Sequence, residues 1–148
     1  MVEHVLVPID GSPASKAAYD YSLRMSEVEI TVLTVVNPFD IDPLSPGYQS
    51  PLGKAGMPAY SQEWYQKEWD NAKELHEELR ETAGDVPFEG VVKMGQPAKQ
   101  IVKYAKTHDV DHIVMGTHGK EDFSNIILGS VAEKVAHRAP MTVTIVRK

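Results

Sequence analysis

An α/β fold is what this sequence predicts: an open, mainly parallel five-stranded sheet with helices on both faces. Three observations carry that expectation. Five short apolar runs are rich in Val, Ile and Thr, residues that suit a pleated, buried surface. Four stretches with helical spacing of apolar residues lie between those runs, so the hydrophobic period switches from two to 3.6 and back along the chain. The 148 residues suit one domain rather than two, with a core large enough to bury such a sheet.

The elements follow in order. The first strand is expected at His4–Ile9 (HVLVPI), and the first helix at Pro13–Ser26, opened by a Ser12 cap and Pro13 at the first helical position. Its apolar stripe is Ala14, Ala18, Tyr21 and Met25. The second strand is Glu29–Val36. The second helix spans about Ser61–Ala83, with Ser61 as cap, a stripe of Tyr65, Trp69, Ala72, Leu75 or His76, Leu79 and Ala83, and Gly84 where a terminating glycine belongs. Phe88–Met94 is the third strand, and Pro97–His108 the third helix, burying Ala98, Ile101 and Ala105. The fourth strand is His112–Met115. The last helix begins at Ser124 or Leu128 and ends at Arg138 before Pro140, with Ile127, Val131 and Val135 in register. Thr142–Val146 closes the sheet; its alternation of Val143 and Ile145 with threonines reads as an edge strand. The first and fourth strands are nearly continuous in apolar character and read as central.

Composition narrows the functional classes. With 15 Lys+Arg against 21 Asp+Glu, the net charge is −6, and no Lys/Arg block is present, which argues against a nucleic-acid or anionic-membrane partner. Zero cysteines exclude a disulfide scaffold, a Cys-ligated metal site and a thiol nucleophile. No apolar run approaches the ~20 residues of a membrane span, so no membrane insertion is expected. Met1-Val2-Glu3-His4 leads directly into a strand-like run without a basic region or cleavage site, which predicts no secretory signal and a cytoplasmic location. His4, His76, His108, His112 and His137 show no metal-ligand spacing and read as structural or surface residues. Asp109 and Asp111 read as turn residues at the amino edge of the sheet.

One segment departs from the alternation. Residues 37–60 hold five of the ten prolines and three of the ten glycines but only Asp40, Asp42 and Lys54 as charges. Within a single domain spanning residues 1–148, so long a connection is either a lid over a ligand or an insertion with no part in binding.

Right-handed crossovers would place every strand-to-helix loop at the carboxyl edge of the sheet, where open α/β sheets bind ligands. The loop after the fourth strand is the informative one: Gly116, Gly119 and Gly129-Ser130 form G-x2-G-x9-G-S. Missing Cβ atoms at Gly116 and Gly119 let backbone approach a ligand and adopt positive φ. Gly129-Ser130 would present free amides and a hydroxyl at a helix N-terminus, a favourable place for phosphate. The spacing is neither a Walker loop nor the G-x-G-x-x-G dinucleotide fingerprint.

The three glycines resemble the nucleotide-binding signature of the universal stress protein family. Other motifs match the same pattern: Val7-Pro8-Ile9-Asp10-Gly11-Ser12, Gly95-Gln96-Pro97 with Ile101 and Ala105, Asp111-His112-Ile113-Val114-Met115-Gly116, and Leu128-Gly129-Ser130-Val131 with Val135. The resemblance covers the chain outside residues 37–60. It implies a Rossmann-like sheet of the adenine-nucleotide-binding type, holding ATP (or ADP or AMP) with Mg2+ or Mn2+. Residue by residue, it implies that Asp10 lies beside the phosphates and their metal. Val35 would meet adenine through its backbone, with Pro8 and Ile9 lining the other side. Met115 and Gly116 would end the strand at the ribose, and His118, Gly119, Gly129, Ser130 and Val131 would hold the phosphates.

Plainer readings stand beside these. Asp10 in an Asp–Gly–Ser turn can cap the following helix, alone or together with a metal contact. His118 is either a phosphate ligand or an exposed loop residue, and Lys120 reads as an exposed lysine. The functional expectation is a nucleotide-sensing regulatory protein of the universal stress response, with an unknown protein partner. The resemblance also implies a homodimer, formed through the edge strand at 142–146. The alternative is a slow ATP hydrolase or phosphotransfer enzyme, for which the sequence offers no Walker lysine and no evident arginine finger among Arg24, Arg80, Arg138 and Arg147. A flavodoxin-like electron carrier shares the layering, but the glycine spacing suits an adenine nucleotide better.

Overall fold

A computed structural model describes residues 2–38, 61–117 and 128–147. The expected helical start at Ser124, Ile127 of its stripe, the residues His118 and Gly119, and most of the Pro-rich connection lie outside these. Among the described residues nine elements alternate: β1 (Glu3–Pro8), α1 (Pro13–Leu23), β2 (Val28–Val36), α2 (Gln62–Thr82), β3 (Phe88–Met94), α3 (Pro97–Thr107), β4 (His112–Gly116), α4 (Ser130–Arg138) and β5 (Thr142–Val146). The five strands form one sheet in the order β3-β2-β1-β4-β5, and every neighbouring pair is parallel. The nearly continuous apolar runs of β1 and β4 thus lie inside the sheet, and the alternating β5 is an edge.

Each face of the sheet has its own core. On one side Leu6, Leu33, Ile113 and Met115 pack against Ile101, Tyr104 and Ala105 of α3 and Ala132 and Val135 of α4. On the other, Val5, Val7, Ile30, Val32 and Val114 meet Ala18 and Tyr19 of α1 and Leu79 of α2. A smaller cluster joins Ala72 of α2, with Trp64, Tyr65 and Trp69 against it, to Val36 and Val92 at the carboxyl ends of β2 and β3. Two-sided burial is why β1 reads as a continuous apolar run.

Several expectations need correction. α1 stops at Leu23 rather than Ser26, because the Arg24 N–H turns back to Tyr21 and Ser22 carbonyls and Glu27 takes a left-handed φ of 55° into β2. Its buried aromatic is Tyr19, fully enclosed, whereas Tyr21 is 40% exposed. Tyr19 can be buried because its hydroxyl donates to the Leu79 carbonyl of α2 at 2.6 Å. α4 begins at Ser130 with Gly129 as its cap, so Leu128 precedes the helix and packs on the α3–α4 core instead of opening a turn. At the amino edge Asp109 is a turn residue as read, at φ 52°, whereas Asp111 lies outside a turn and its carboxylate accepts the His4 N–H of β1 at 2.8 Å.

Candidate nucleotide-binding site

The strand order places a topological switch point between β1 and β4, since the chain runs from β1 to β2 and β3 on one side and returns to β4 on the other. α1, which follows β1, and α4, which follows β4, pack on opposite faces of the sheet, and the carboxyl edge between two such strands is the usual ligand position in open α/β sheets. The sequence-derived candidates collect around it. Pro8, Ile9 and Asp10 end β1, Val35 lies one residue from the end of the adjacent β2, Met115 and Gly116 end β4, and Gly129, Ser130 and Val131 open α4. α4 is tied to the crevice by the Gly129 N–H, which donates to the Thr117 carbonyl just past β4.

The β1 loop is built by short polar residues. Gly11 takes φ 84°, which an L side chain resists, and turns the chain from β1 into α1. The Asp10 carboxylate accepts the Ser12 N–H through Oδ1 at 2.9 Å. The buried Ser12 hydroxyl caps α1 by accepting the Ser15 N–H at 3.1 Å, and Ser15 Oγ donates to the Ser12 carbonyl at 2.9 Å. Asp10 therefore does not itself cap α1: the cap is Ser12, and Asp10 closes the turn that holds Ser12 with one carboxylate oxygen, leaving Oδ2 outside the turn. Among the described residues no group of three or more His, Asp or Glu is placed to hold a metal ion. A divalent cation beside Asp10 would take most of its oxygen ligands from phosphates and water, as magnesium commonly does.

The glycines act differently from the reading based on spacing. Gly116 is buried without a positive φ, and a Cβ there would lie 2.6 Å from the Ala14 carbonyl carbon and 2.7 Å from its oxygen. Its bareness admits the first turn of α1. Gly129 does not offer a free amide either, because Thr117 takes it. Gly129 has φ −69° and makes no side-chain cap, so the first-turn amides of α4, at Ser130 and Val131, carry the anion-favouring end of the helix. Ser130 is exposed and Val131 half-buried. Ile9 and Met115 bury their side chains in opposite cores, so only their main chain faces the crevice.

Two residues missed by the sequence reading stand directly behind this wall. Thr34 Oγ1 donates to the Ile9 carbonyl at 2.7 Å, and His76 Nε2 lies 2.7 Å from the same hydroxyl. His76 is only 4% exposed; burial, reinforced by the Arg80 charge, lowers its pKa to about 4, so it is neutral at pH 7. Its position between Ala72 and Leu79 on the buried stripe of α2 was the available signal.

A groove of about 720 Å³ lies at the opposite, amino edge, among residues such as His4, Glu29, Glu89, Lys93, Tyr104 and His108. It holds none of the residues expected to contact a nucleotide, only Asp111 from the start of the β4 motif, and the switch-point geometry favours the carboxyl edge. Three of the four arginines, Arg24, Arg80 and Arg138, sit at the C-terminal ends of α1, α2 and α4, also towards that amino edge; Arg147 follows β5.

Known proteins share this arrangement. Universal stress protein MJ0577 of Methanocaldococcus jannaschii is 29% identical over 157 aligned positions, spanning 100% of this chain and 96% of that protein. A solved structure described as a structure-based assignment of the biochemical function of MJ0577 superposes with a TM-score of 0.80, 27% identity and coverage of 100% and 97%. Universal stress protein UspA from Lactobacillus plantarum gives a TM-score of 0.81 at 26% identity, covering 98% and 97%. The fold is also that of an Arabidopsis thaliana universal stress protein family protein with AMP bound, at TM-score 0.65 and 16% identity over 99% of this chain and 92% of that one. The universal stress protein family model matches residues 1–147, and to that family this chain belongs.

Proposed function

We propose that the protein binds an adenine nucleotide, ATP or its ADP or AMP products, in the crevice between β1 and β4 and acts as a nucleotide-sensing regulatory homodimer of the stress response. The observation that carries the reading is the junction of β4 with α4. The Gly129–Thr117 hydrogen bond holds the start of α4, whose first turn has no side-chain cap, at the carboxyl end of β4, the strand next to β1 at the switch point of the sheet. Backbone N–H groups at a helix start favour a phosphate chain. Val35, Pro8 and Ile9 would flank the base, Met115 and Gly116 the ribose, and His118 and Gly119 would complete the phosphate loop. Asp10 would help hold Mg2+ or Mn2+, which would neutralise phosphate charge. A bound AMP in one relative of the same fold supports the ligand class.

Isothermal titration calorimetry of ATP with magnesium tests the proposal, together with mass spectrometry of nucleotide released from gently purified protein. Binding of ATP, ADP or AMP is expected. Gly129→Val keeps an allowed backbone, since φ is −69° there, but places a branched side chain at the mouth of α4; loss of binding by a folded variant is the expected result. Absence of heat from any adenine nucleotide at millimolar concentration would overturn it.

A further inference from the structure

We infer that His76 and Thr34 are positioning residues for the nucleotide, setting the Ile9–Asp10 peptide that links the base wall to the phosphate turn; this rests on the site proposed above. The paired register of β1 with β2 ends at Pro8 opposite Leu33, and one further ladder bond, from the Ile9 N–H to the Leu33 carbonyl, measures 2.8 Å. The next carbonyl, that of Ile9, accepts instead from the Thr34 side chain at 2.7 Å. A hydroxyl has one proton, and Thr34 spends it on Ile9. The 2.7 Å contact with His76 therefore has the imidazole Nε2–H donating to Thr34 Oγ1. The result is a directed relay, His76 Nε2–H to Thr34 Oγ1–H to Ile9 C=O, crossing from α2 through β2 to the end of β1.

The ring is held from its other side as well. A Cβ at Gly90 of β3 would lie 2.7 Å from His76 Nδ1 and 3.0 Å from its Cβ, so the glycine is what admits the imidazole. The relay terminates on the peptide whose other end begins the Asp10 turn, where the Asp10 N–H lies 3.4 Å from Ser15 Oγ and the Asp10 carboxylate holds the Ser12 amide. Thr34 also immediately precedes Val35, the proposed adenine contact on β2. One threonine thus sets the spacing of both proposed base walls, and a buried histidine sets the threonine.

Calorimetry on the full chain tests this, with ATP and GTP as probes. Wild type is expected to bind ATP in preference to GTP. Thr34→Val and His76→Leu are expected to weaken ATP at least tenfold and to narrow the ATP-to-GTP ratio, because the Ile9 carbonyl loses its anchor. Thr34→Ser and His76→Gln keep a hydroxyl and an Nε2-type donor and are expected to restore both. Wild-type ATP affinity and selectivity in folded Thr34→Val would overturn this inference while leaving the site intact; no ATP binding by wild type would overturn the site itself, and this inference with it. A measurement without substitution covers variants that fail to fold: imidazole 15N spectra of the wild type are expected to show an Nε2–H tautomer for His76 that shifts on adding ATP. An Nδ1–H tautomer, or no response to bound ATP, would overturn the relay.

Discussion

Gly116 shows how one atom can decide an interface. The first turn of α1 lies so close to the end of β4 that any Cβ would overlap the Ala14 peptide, a backbone group that cannot rotate away. Gly116→Ala is expected to cost roughly 1–3 kcal/mol through forced backbone displacement, lowering Tm by several degrees in a calorimetric scan. A spacing pattern reveals that glycines recur but not which neighbour each one accommodates, so the packing of Gly116 on α1 and its ordinary φ were not legible in it. Ser12 is the opposite case. Ser-Pro before an apolar stripe announces a helix start by local chemistry, and the cap is found there with Ser12 only 2% exposed. Ser12→Ala is expected to lose about 1 kcal/mol, measurable by urea titration.

At the scale of elements, α2 is the helix whose docking depends on polar anchors. Tyr19 of α1 donates to the Leu79 carbonyl, and Thr82 Oγ1 reaches the same oxygen at 2.7 Å. Because Leu79 keeps that second donor, Tyr19→Phe is expected to cost only about 1 kcal/mol rather than a full desolvation penalty, again by urea titration. His76 imposes a pH dependence. Its folded pKa of about 4 lies below the unfolded value of 6.5, so between those values the unfolded chain takes up a proton that the native chain refuses. The stability contributed by the neutral ring is fully present above pH 6.5, falls as pH drops through the window, and levels off below about 4. Taken at face value the interval amounts to about 3 kcal/mol. The wild-type minus His76→Gln difference in unfolding free energy is expected to shrink by an amount of this order between pH 7 and pH 4. The helical period placed His76 on the buried stripe, but its partners lie 42 and 14 positions away, at Thr34 and Gly90. Periodicity along one helix carries no information about such distances.

Among the described residues the molecule is a parallel sheet whose edge strands are β3 and β5. Parallel edges present unpaired N–H and C=O groups that a second copy can satisfy. If β5 forms the proposed dimer contact, Val143→Pro or Ile145→Pro is expected to halve the solution mass in sedimentation equilibrium while the far-ultraviolet spectrum persists. A dimeric mass after either change would count against that interface.

Element order, the inner place of β1 and β4, the edge at β5, the Ser12 and Ser61 caps and the family motifs were determined by the sequence alone, because each arises from residues within a few positions of one another: alternation, helical stripes, Ser-Pro and Gly punctuation. Only the tertiary structure decided that Gly116 serves α1, that the Gly129 amide belongs to Thr117, that Tyr19 rather than Tyr21 is buried, and that His76 reaches Ile9 through Thr34. Those are contacts between elements distant in the chain. Their geometry is set by how helices pack across a sheet, and packing depends on every layer at once.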